Sequence, residues 1–366
     1  MVKLRGMFRQ VCLVLLFCYS IKTDTFSQKF VNEFLNIGVS ARAHGMSGSV
    51  VASTHDGTSG YWNPAGLTNV ENPLSLNAMH AKWFGGIANY DYISITRKLG
   101  TRSPSAASFS LIRLGVDNIP NTLNLIGPDG TIDYTRVTNF SASDYAGIFS
   151  YAKTVDRDEK LSIGGNIKVI HRSIGSFGKA WGFGADLGAI WKTDIFSFGV
   201  MAKDITTTFN AWSFNLTEDE KGVFQATGND IPVSSTELTL PRLILGGAYK
   251  NEENDLGYII ETNINISSNG TKAGVLSGKN LSIDPSIGIE LFYLKKVYLR
   301  FGVGNIQSVI NPINTNDRNL EFQPNAGLGL KLGKLKVDYA LANIGNVSGI
   351  LASHIFSLGL DFAPIR

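Results

Sequence analysis

From Leu74 to the C-terminus, the sequence repeats one pattern in which apolar residues alternate with small or polar residues. Alternation with a period of two residues is the signal of a β-strand that has one apolar face. Turn residues separate the alternating runs, and most runs approach the ~9–11 residues that a tilted strand needs to cross a bilayer. We count about fourteen such runs, near residues 74–82, 87–98, 105–114, 143–153, 161–172, 179–192, 196–203, 239–250, 256–265, 285–293, 297–304, 323–332, 335–342 and 354–362.

The segments between these runs alternate in length. The short segments follow even-numbered runs and are residues 99–104, 154–160, 193–195, 251–255, 294–296 and 333–334. The long segments follow odd-numbered runs and are residues 115–142, 204–238, 266–284, 305–322 and 343–353. A barrel with both termini on one side of a membrane alternates short periplasmic turns with long external loops, and a soluble sandwich has no reason to do so. The sequence therefore predicts an all-β fold, a transmembrane antiparallel β-barrel of about fourteen strands, in preference to a soluble all-β protein.

One run carries a tryptophan near each end. Trp181 and Trp191 lie near the two ends of the run 179–192, and apolar residues alternate with small ones between them. Outer-membrane barrels carry girdles of aromatic residues at both membrane interfaces. We interpret the two tryptophans as members of these girdles; in a soluble sandwich strand their placement would be a coincidence.

Residues 1–27 have the features of a secretory signal peptide. They begin with basic residues, continue with an apolar run, and end in the small-x-small cleavage sequence Thr25-Phe26-Ser27. A transmembrane anchor is the competing interpretation, but the apolar run is shorter than the roughly 20 residues that a spanning helix needs. We therefore expect export and a mature chain that starts at Gln28.

Removal of this signal changes the chemistry of the chain. Both cysteines, Cys12 and Cys18, lie within it, so the mature chain can hold neither a disulfide nor a thiolate metal site. The formal net charge of +3 also comes from the signal, where four basic residues and the single acid Asp24 sum to +3. The mature chain has no basic excess to neutralise phosphates, which argues against nucleic acid as a partner.

The stretch from Phe34 to Leu67 differs from the rest of the chain because its glycines and turn residues interrupt any period. Asp56-Gly57 is a turn dipeptide, and Pro64 forces Asn63 out of the helical region. Such a compact segment of small residues suits a chain that must fold within a confined space. We predict a hatch, or plug, over residues 28–73 and the barrel over residues 74–366; an ordinary N-terminal loop is the alternative.

The same stretch carries a family resemblance. The sequence SARAHGMSG at residues 40–48, followed by a turn and YWNPAGL at residues 61–67, resembles the N-terminal signature of the PorV/PorQ family of Bacteroidetes outer-membrane proteins, which are related to the fatty-acid transporter FadL. The resemblance implies a fourteen-stranded barrel with a hatch at its periplasmic end. It also implies that the hatch motif is formed by Asn63, Pro64 and Ala65, with Gly45 and Gly48. The chain departs from the usual form of the family at His44 and Ser47.

Shorter pieces of the sequence extend this resemblance along the mature chain. They are Phe140-Ser141-Ala142-Ser143-Asp144-Tyr145, Asp186-Leu187-Gly188 and Leu240-Pro241-Arg242. Each is short, and their order makes them specific.

Signals for catalysis or cofactor binding are absent from the sequence. Gly182-x-Gly184 and Gly327-x-Gly329 do not open helices, so glycines lining a barrel wall explain them better than a nucleotide site. The five histidines have spacings that make no metal cluster. There is no G-x-S-x-G elbow and no H-E-x-x-H motif. We expect no cofactor, no metal and a non-enzymatic protein; an outer-membrane acyl hydrolase is a minor alternative because its Ser and His need not be adjacent.

Charged residues of both signs lie on the predicted inward face of the barrel. Paired charges within the lumen and charges solvated there are both compatible with the sequence. The residues concerned are Asp186, Glu290, Arg300, Lys331, Lys336, Asp338 and Asp361.

The PorV/PorQ resemblance implies a role in the type IX secretion system of the outer membrane. Its members bind exported cargo through a C-terminal signal domain or accompany the translocon, so the expected partners are outer-membrane lipid and a cargo or translocon protein. The alternative is FadL-like transport of hydrophobic solutes such as long-chain fatty acids.

The predicted loop 204–238 contains four aromatic residues among polar ones, namely Phe209, Trp212, Phe214 and Phe224. Exposed aromatic residues of this kind are typical anchors for a protein partner. They are therefore candidate partner-binding residues, although packing on the loop itself or contact with the lipid interface is the alternative.

Overall fold

A computed structural model describes residues 31–100, 103–126, 130–268, 276–277, 281–310, 317–344 and 352–362. The predicted signal peptide and the first three residues of the predicted hatch lie outside these ranges. The α-helices are α1 (Ala41–Gly45), α2 (Ser59–Trp62) and α3 (Glu218–Ala226), and short 3-10 turns span Glu33–Asn36, Pro64–Asn69, Phe84–Gly86 and Tyr134–Arg136. None of the described helices is long and apolar enough to cross a membrane.

The described strands form a single antiparallel sheet. They are β1 (Leu74–Trp83), β2 (Ala88–Gly100), β3 (Ser105–Asn121), β4 (Thr138–Thr154), β5 (Leu161–Ile174), β6 (Gly178–Lys192), β7 (Phe196–Lys203), β8 (Thr208–Phe214), β9 (Thr236–Thr239), β10 (Arg242–Glu253), β11 (Leu256–Ser267), β12 (Leu276–Ser277), β13 (Ser282–Tyr293), β14 (Val297–Ile310), β15 (Arg318–Leu332), β16 (Leu335–Ala342) and β17 (Ser353–Phe362).

Fourteen of these strands close into a barrel. Strands β1–β7, β10, β11 and β13–β17 pair in chain order, each antiparallel to the next, and β17 pairs with β1 from Phe362 opposite Leu74 to His354 opposite Lys82. The predicted antiparallel barrel of about fourteen strands is confirmed. We call the end with the connections 101–104, 155–160, 193–195, 254–255, 294–296 and 333–334 the short-turn end, and the opposite end the long-loop end.

Several strands extend beyond their predicted ends at the long-loop end. Strand β3 continues to Asn121 and β14 to Ile310, while β4 starts at Thr138 and β15 at Arg318. In the extensions of β3 and β14 the alternation of apolar and polar residues is lost, because the register shifts between Val116 and Ile119 and between Gly304 and Gln307. The backbone hydrogen bonds between the strands continue there, although the sequence no longer shows the alternation that indicates a strand.

The prediction of residues 204–238 as one loop was wrong in part. Strand β6 pairs with β7 over residues 187–192 and with β8 over residues 178–183, so β8 continues the position of β7 in the wall. Between them the chain turns at Asp204 and Thr207, which both have positive φ. Strand β9 pairs with β8 as β10 pairs with β7. The wall is therefore complete but irregular here. The sequence does not show that β8 continues the position of β7, because the four residues between these strands are polar or β-branched and do not alternate.

The outer surface of the barrel is apolar. Trp181 and Trp191 are 54% and 45% exposed at opposite ends of β6. Ten residue steps along a strand tilted as in membrane barrels correspond to about 25 Å, the height of the apolar band of such barrels. This arrangement is the one that lipid contact requires. Other exposed apolar side chains include Leu76, Ile93, Phe149, Ile167, Leu245, Ile289, Leu299, Leu328 and Leu358.

The hatch lies inside the barrel and contacts opposite parts of the wall. The amide of Ala41 donates to Ser357 Oγ on β17 at 2.8 Å, and the side chain of Asn63 reaches the carbonyl oxygen of Ala189 on β6 at 3.2 Å. The first barrel strand begins at Leu74, the predicted start of the barrel.

A closed ladder satisfies every backbone group of the wall and leaves no strand edge, so the barrel should resist detergent until it is heated. We predict that unboiled protein migrates differently from boiled protein in a denaturing gel. The measurement is the mobility of paired samples at increasing temperature. Equal mobility at all temperatures would contradict a closed barrel.

Candidate functional site

Asn63 joins the hatch to the barrel wall. Its side chain is fully buried, and its Nδ2 donates to the carbonyl oxygen of Val51 at 3.0 Å and lies 3.2 and 3.4 Å from the carbonyl oxygens of Ala189 and Val200. Its Oδ1 accepts from the amide of Ala65 at 3.2 Å. Ala189 and Val200 are opposite each other on β6 and β7. One amide side chain therefore connects two parts of the hatch and two strands of the wall.

The wall beside this contact has no room for side chains. A Cβ on Gly188 would lie 2.1 Å from Asn63 Oδ1, and a Cβ on Gly164 would lie 2.6 Å from the carbonyl carbon of Pro64. Pro64 starts the 3-10 turn, where its lack of an N–H costs nothing. The Asn63-Pro64-Ala65 motif is thus matched by wall glycines that let two backbones touch.

The other predicted hatch residues make a second close contact. A Cβ on Gly45 would lie 3.1 Å from the Cα of Gly327 on β15. Gly48 has a φ of +74° and packs against the ring of Trp62. On β14, a Cβ on Gly302 would lie 2.4 Å from the carbonyl carbon of Met46. Helix α1 and the turn after it therefore rest directly on the backbone of the wall.

Buried carboxylates of the wall bind the hatch on the side opposite to β1–β5. Arg42 donates to Glu290 on β13, with Nη2 and Oε1 3.0 Å apart, and Glu290 also accepts from Arg300 on β14. On β11, Glu261 accepts from the amides of Ala52 at 2.7 Å and Ser53 at 2.9 Å. Removal of one partner of a buried ion pair typically costs about 3–5 kcal/mol, so these contacts oppose hatch movement.

Of the inward charges predicted from the sequence, the buried ones are paired. Arg300 Nη1 lies 2.7 Å from Asp338 Oδ1, and Asp186 Oδ1 lies 2.7 Å from Lys168 Nζ. Lys168 also binds Asp204 at the turn between β7 and β8. Pairing within the lumen, and not free solvation, describes the four buried members of the predicted set, Asp186, Glu290, Arg300 and Asp338.

The side of the lumen next to β1–β5 is apolar. Phe34, Leu35 and Tyr61 of the hatch pack in one buried cluster with the wall residues Tyr90 and Trp83. The hydroxyl groups of Tyr61 and Tyr90 donate to the carbonyl oxygens of Leu35 at 2.6 Å and Phe34 at 3.0 Å. The two tyrosine hydroxyls are thus satisfied locally, Trp83 Nε1 is buried without a hydrogen-bond partner among the described residues, and apolar surface predominates.

Two cations without acid partners border this apolar region. Lys203 and Arg242 are directly opposite on β7 and β10, and like charges in such positions repel. Lys203 is 8% exposed, and its Nζ lies 4.1 Å from the ring centroid of Tyr61. Arg242 donates to Asn36 of the hatch, while its Nε is buried and unpaired. Within the described part of the chain, no carboxylate lies within ion-pair distance of either cation, because Asp186 and Asp204 both pair with Lys168.

This cationic pair was not found from the sequence. Arg242 belongs to the Leu240-Pro241-Arg242 piece, but the pattern of a single strand does not show which residue stands opposite it. Lys203 occupies the last position of an otherwise apolar strand, where a lysine usually reaches water. In the residues that the structure describes, no group of three or more His, Asp or Glu side chains could hold a metal ion.

The four aromatic candidates for partner binding lie in different surroundings. Phe209, Trp212 and Phe214 belong to strand β8 of the wall and not to a loop, and Phe224 belongs to helix α3. Trp212 is only 8% exposed, donates to Glu237 Oε2 at 2.8 Å and stacks on Phe214. Phe209 faces outward. Partner binding through these residues stays a prediction.

His44, which departs from the usual family form, is buried within the hatch. Its ring lies 5.6 Å from that of Trp83, and its Nε2 lies 3.2 Å from the carbonyl oxygen of Gly38. Burial lowers its pKa to about 4, although the contact with Gly38 works in the opposite direction. The imidazole is therefore neutral at neutral pH.

Together these features define a class of protein: a closed fourteen-stranded barrel with an apolar outer surface and an N-terminal hatch bound within its lumen. The chain matches no protein-family model and no curated protein sequence. Among solved structures it is similar to the toluene transporter TodX of P. putida, with 12% identity, a TM-score of 0.58, and coverage of 90% of this chain and 99% of that chain.

Two further structures have the same fold. The toluene transporter TbuX of Ralstonia pickettii has 14% identity and a TM-score of 0.53, with 89% of this chain and 98% of that chain covered. The monoaromatic hydrocarbon channel CymD has 14% identity and a TM-score of 0.55, with 90% and 99% covered. These likenesses support the barrel fold expected from the sequence, and none of them supports the PorV/PorQ assignment.

We predict that Asn63→Ala loosens the hatch without unfolding the barrel. It removes the donor to Val51, Ala189 and Val200, at about 1 kcal/mol for each lost hydrogen bond. Cleavage of the hatch by added protease should accelerate about thirty-fold or more, because released hatch becomes accessible. Asn72→Ala, which removes a partly exposed asparagine at the end of the hatch, is the matched control. Equal cleavage rates for Asn63→Ala and wild type would contradict the assigned role.

We also predict that acid releases the hatch. The pKa of His44 is lower in the bound hatch than the ordinary value of 6.5, so the bound state is favoured fully above about pH 6.5 and loses stability as the pH falls towards 4, by about 3 kcal/mol in total. Protease cleavage measured across this range should rise less steeply in His44→Leu.

Two comparisons make this pH test specific. His55 is also a buried residue of the hatch, and burial lowers its pKa, so the dependence should be reduced and not abolished. His354→Leu on the outer surface should keep the wild-type profile. A His44→Leu profile identical to wild type would assign the pH response to other groups.

Proposed function

We propose that this protein passes hydrophobic solutes across the outer membrane, with the hatch as the movable closure of the barrel. The fold that it shares over nine-tenths of its length with two toluene transporters and a monoaromatic hydrocarbon channel supports this proposal. The apolar outer surface supports a membrane location. Transport requires no catalytic group, in agreement with the expectation of a non-enzymatic protein.

The observation that carries the proposal is the junction of the apolar cluster with the cations Lys203 and Arg242. Both cations face hatch residues, so a solute would meet them where the hatch contacts the wall. Lys203 is buried and Arg242 is partly buried, and cations in such places without acid partners are costly and are stabilised by an anion. A solute with an apolar body and one acid group, such as a long-chain fatty acid, offers both kinds of contact.

The type IX secretion role rests on the sequence resemblance alone. Its expected partners, an exported cargo protein or a translocon component beside outer-membrane lipid, have no counterpart in the compared structures. Of the aromatic residues proposed as anchors, Trp212 is buried in the wall and bound to Glu237, which favours the transport role over a contact surface at that residue.

Replacement of the two cations tests the transport proposal. Lys203→Met and Arg242→Met should each lower the flux of a long-chain fatty acid into liposomes about tenfold or more, because a hydrogen bond to a charged group contributes about 1.5–3 kcal/mol. Flux of toluene should not fall. Lys179→Met, which removes an exposed cation of β6, is the control and should match wild type.

The outcome also separates the two roles. Equal loss of both solutes in the two variants would contradict an acid-binding contact. Absence of flux for both solutes in wild-type protein, together with co-purification of a secreted protein from native outer membrane, would replace transport by the type IX role.

A further inference from the structure

A groove of about 600 Å³ runs along the outer surface of the barrel across β4–β7. Its sides are the exposed apolar side chains of Tyr151, Ile163, Leu187 and Val200. Its floor is formed by Gly165 and Ala189, which have almost no side chain to fill it. An open apolar groove within a lipid-facing surface must be filled, since unfilled space forfeits dispersion contacts.

The groove and the hatch share the same stretch of wall. Ala189 and Val200 line the groove on the outside, and their carbonyl oxygens face the Asn63 amide on the inside. Gly164 and Gly188, which make room for Asn63 and Pro64, also border the groove. The wall is thin here because the hatch contact requires Gly164 and Gly188 on the inside, and their neighbours Gly165 and Ala189 leave the outside hollow.

The groove ends at a polar cavity beside the turn 155–160. This cavity, of about 440 Å³, shares Lys153 and Val155 with the groove and also includes Arg157, Asp156 and Glu159. Asp156 accepts from the backbone amides of Lys160 and Leu161 at the turn. Lys153 and Arg157 have no acid partner among the described residues.

The position of this cavity corresponds to a membrane interface. It lies at the short-turn end, where Leu161 is opposite the girdle residue Trp191. Lipid headgroups begin at this level, and lysine and arginine side chains extend towards them. An apolar groove that leads to charges of both signs therefore matches one molecule with an acyl chain and a zwitterionic headgroup.

We propose that this groove binds a phosphatidylethanolamine of the leaflet at the short-turn end. One acyl chain occupies the groove, the phosphate contacts Lys153 and Arg157, and the ammonium group contacts Glu159. The bound lipid covers the outside of the wall segment whose inside holds Asn63.

Native mass spectrometry of barrels extracted from mixed phosphatidylethanolamine and phosphatidylglycerol liposomes tests the proposal. Wild-type protein should retain one phosphatidylethanolamine. Ala189→Trp, which fills the groove, should lower its retention about tenfold, and Lys153→Gln, which leaves the groove intact, should lower it about fivefold.

Ala185→Trp is the matched control, because Ala185 lies on the same strand and the same outer face but outside the groove. It should retain lipid as wild type does, and heat-dependent gel mobility shows that each variant has folded. Equal retention by wild type and both groove variants would overturn the proposal. Preferential retention of phosphatidylglycerol, or equal loss in Ala185→Trp, would overturn it as well.

Discussion

Pairing of β17 with β1 is the constraint on which the rest of this structure depends. Within lipid, each unpaired backbone group costs several kcal/mol, so the sheet can cross the membrane only as a closed circle. Because the outer surface of the closed sheet faces lipid, side chains along each membrane-spanning strand alternate between the two faces, and the apolar ones point outward. The inside of the circle then carries polar side chains on one side and apolar side chains on the other, and the hatch contacts both.

The hatch meets this requirement differently on its two sides. Towards β11–β16, Glu261 and Glu290 bind amides and the guanidinium of Arg42, and wall glycines allow direct backbone contact. Towards β1–β5 the contact is largely apolar, and its buried hydrogen bonds join uncharged groups, such as Tyr90 to Phe34, Asn166 to Gly60 and Thr68 to Ser162. Apolar contacts are non-directional and re-form easily after displacement, whereas a buried ion pair has few alternative partners. The ion pair of Arg42 with Glu290 therefore opposes release of the hatch from the side of β11–β16.

The irregular wall at β7 and β8 determines which charged residues face the hatch. The turn at 204–207 directs Asp204 inward to Lys168, and so leaves Lys203 and Arg242 facing the hatch with no acid of their own. The outer face of the same strands is thin and hollow where Asn63 is bound. The proposed solute contact, the proposed lipid contact and the observed hatch contact therefore lie in one part of the barrel.

The sequence by itself determined the number of barrel strands, the alternation of short turns and long loops, and the start of the barrel at Leu74. These features are local, because period-two alternation and turn residues act within about ten positions along the chain. The bounds of β7 and β16 were predicted to the residue for the same reason. The predicted strands ended where the alternation ended, namely at the long-loop ends of β3 and β14 and at residues 204–207.

Only the tertiary structure decided which residues meet. Arg42 and Glu290 are 248 positions apart, and Lys203 stands opposite Arg242 through a strand pairing that skips β8 and β9. Asn63 was recognised as part of a motif, but its contact with Ala189 and Val200 depends on the register between β6 and β7. Register is set by closure of the whole barrel and by the hatch that fills it, and no single segment contains that information.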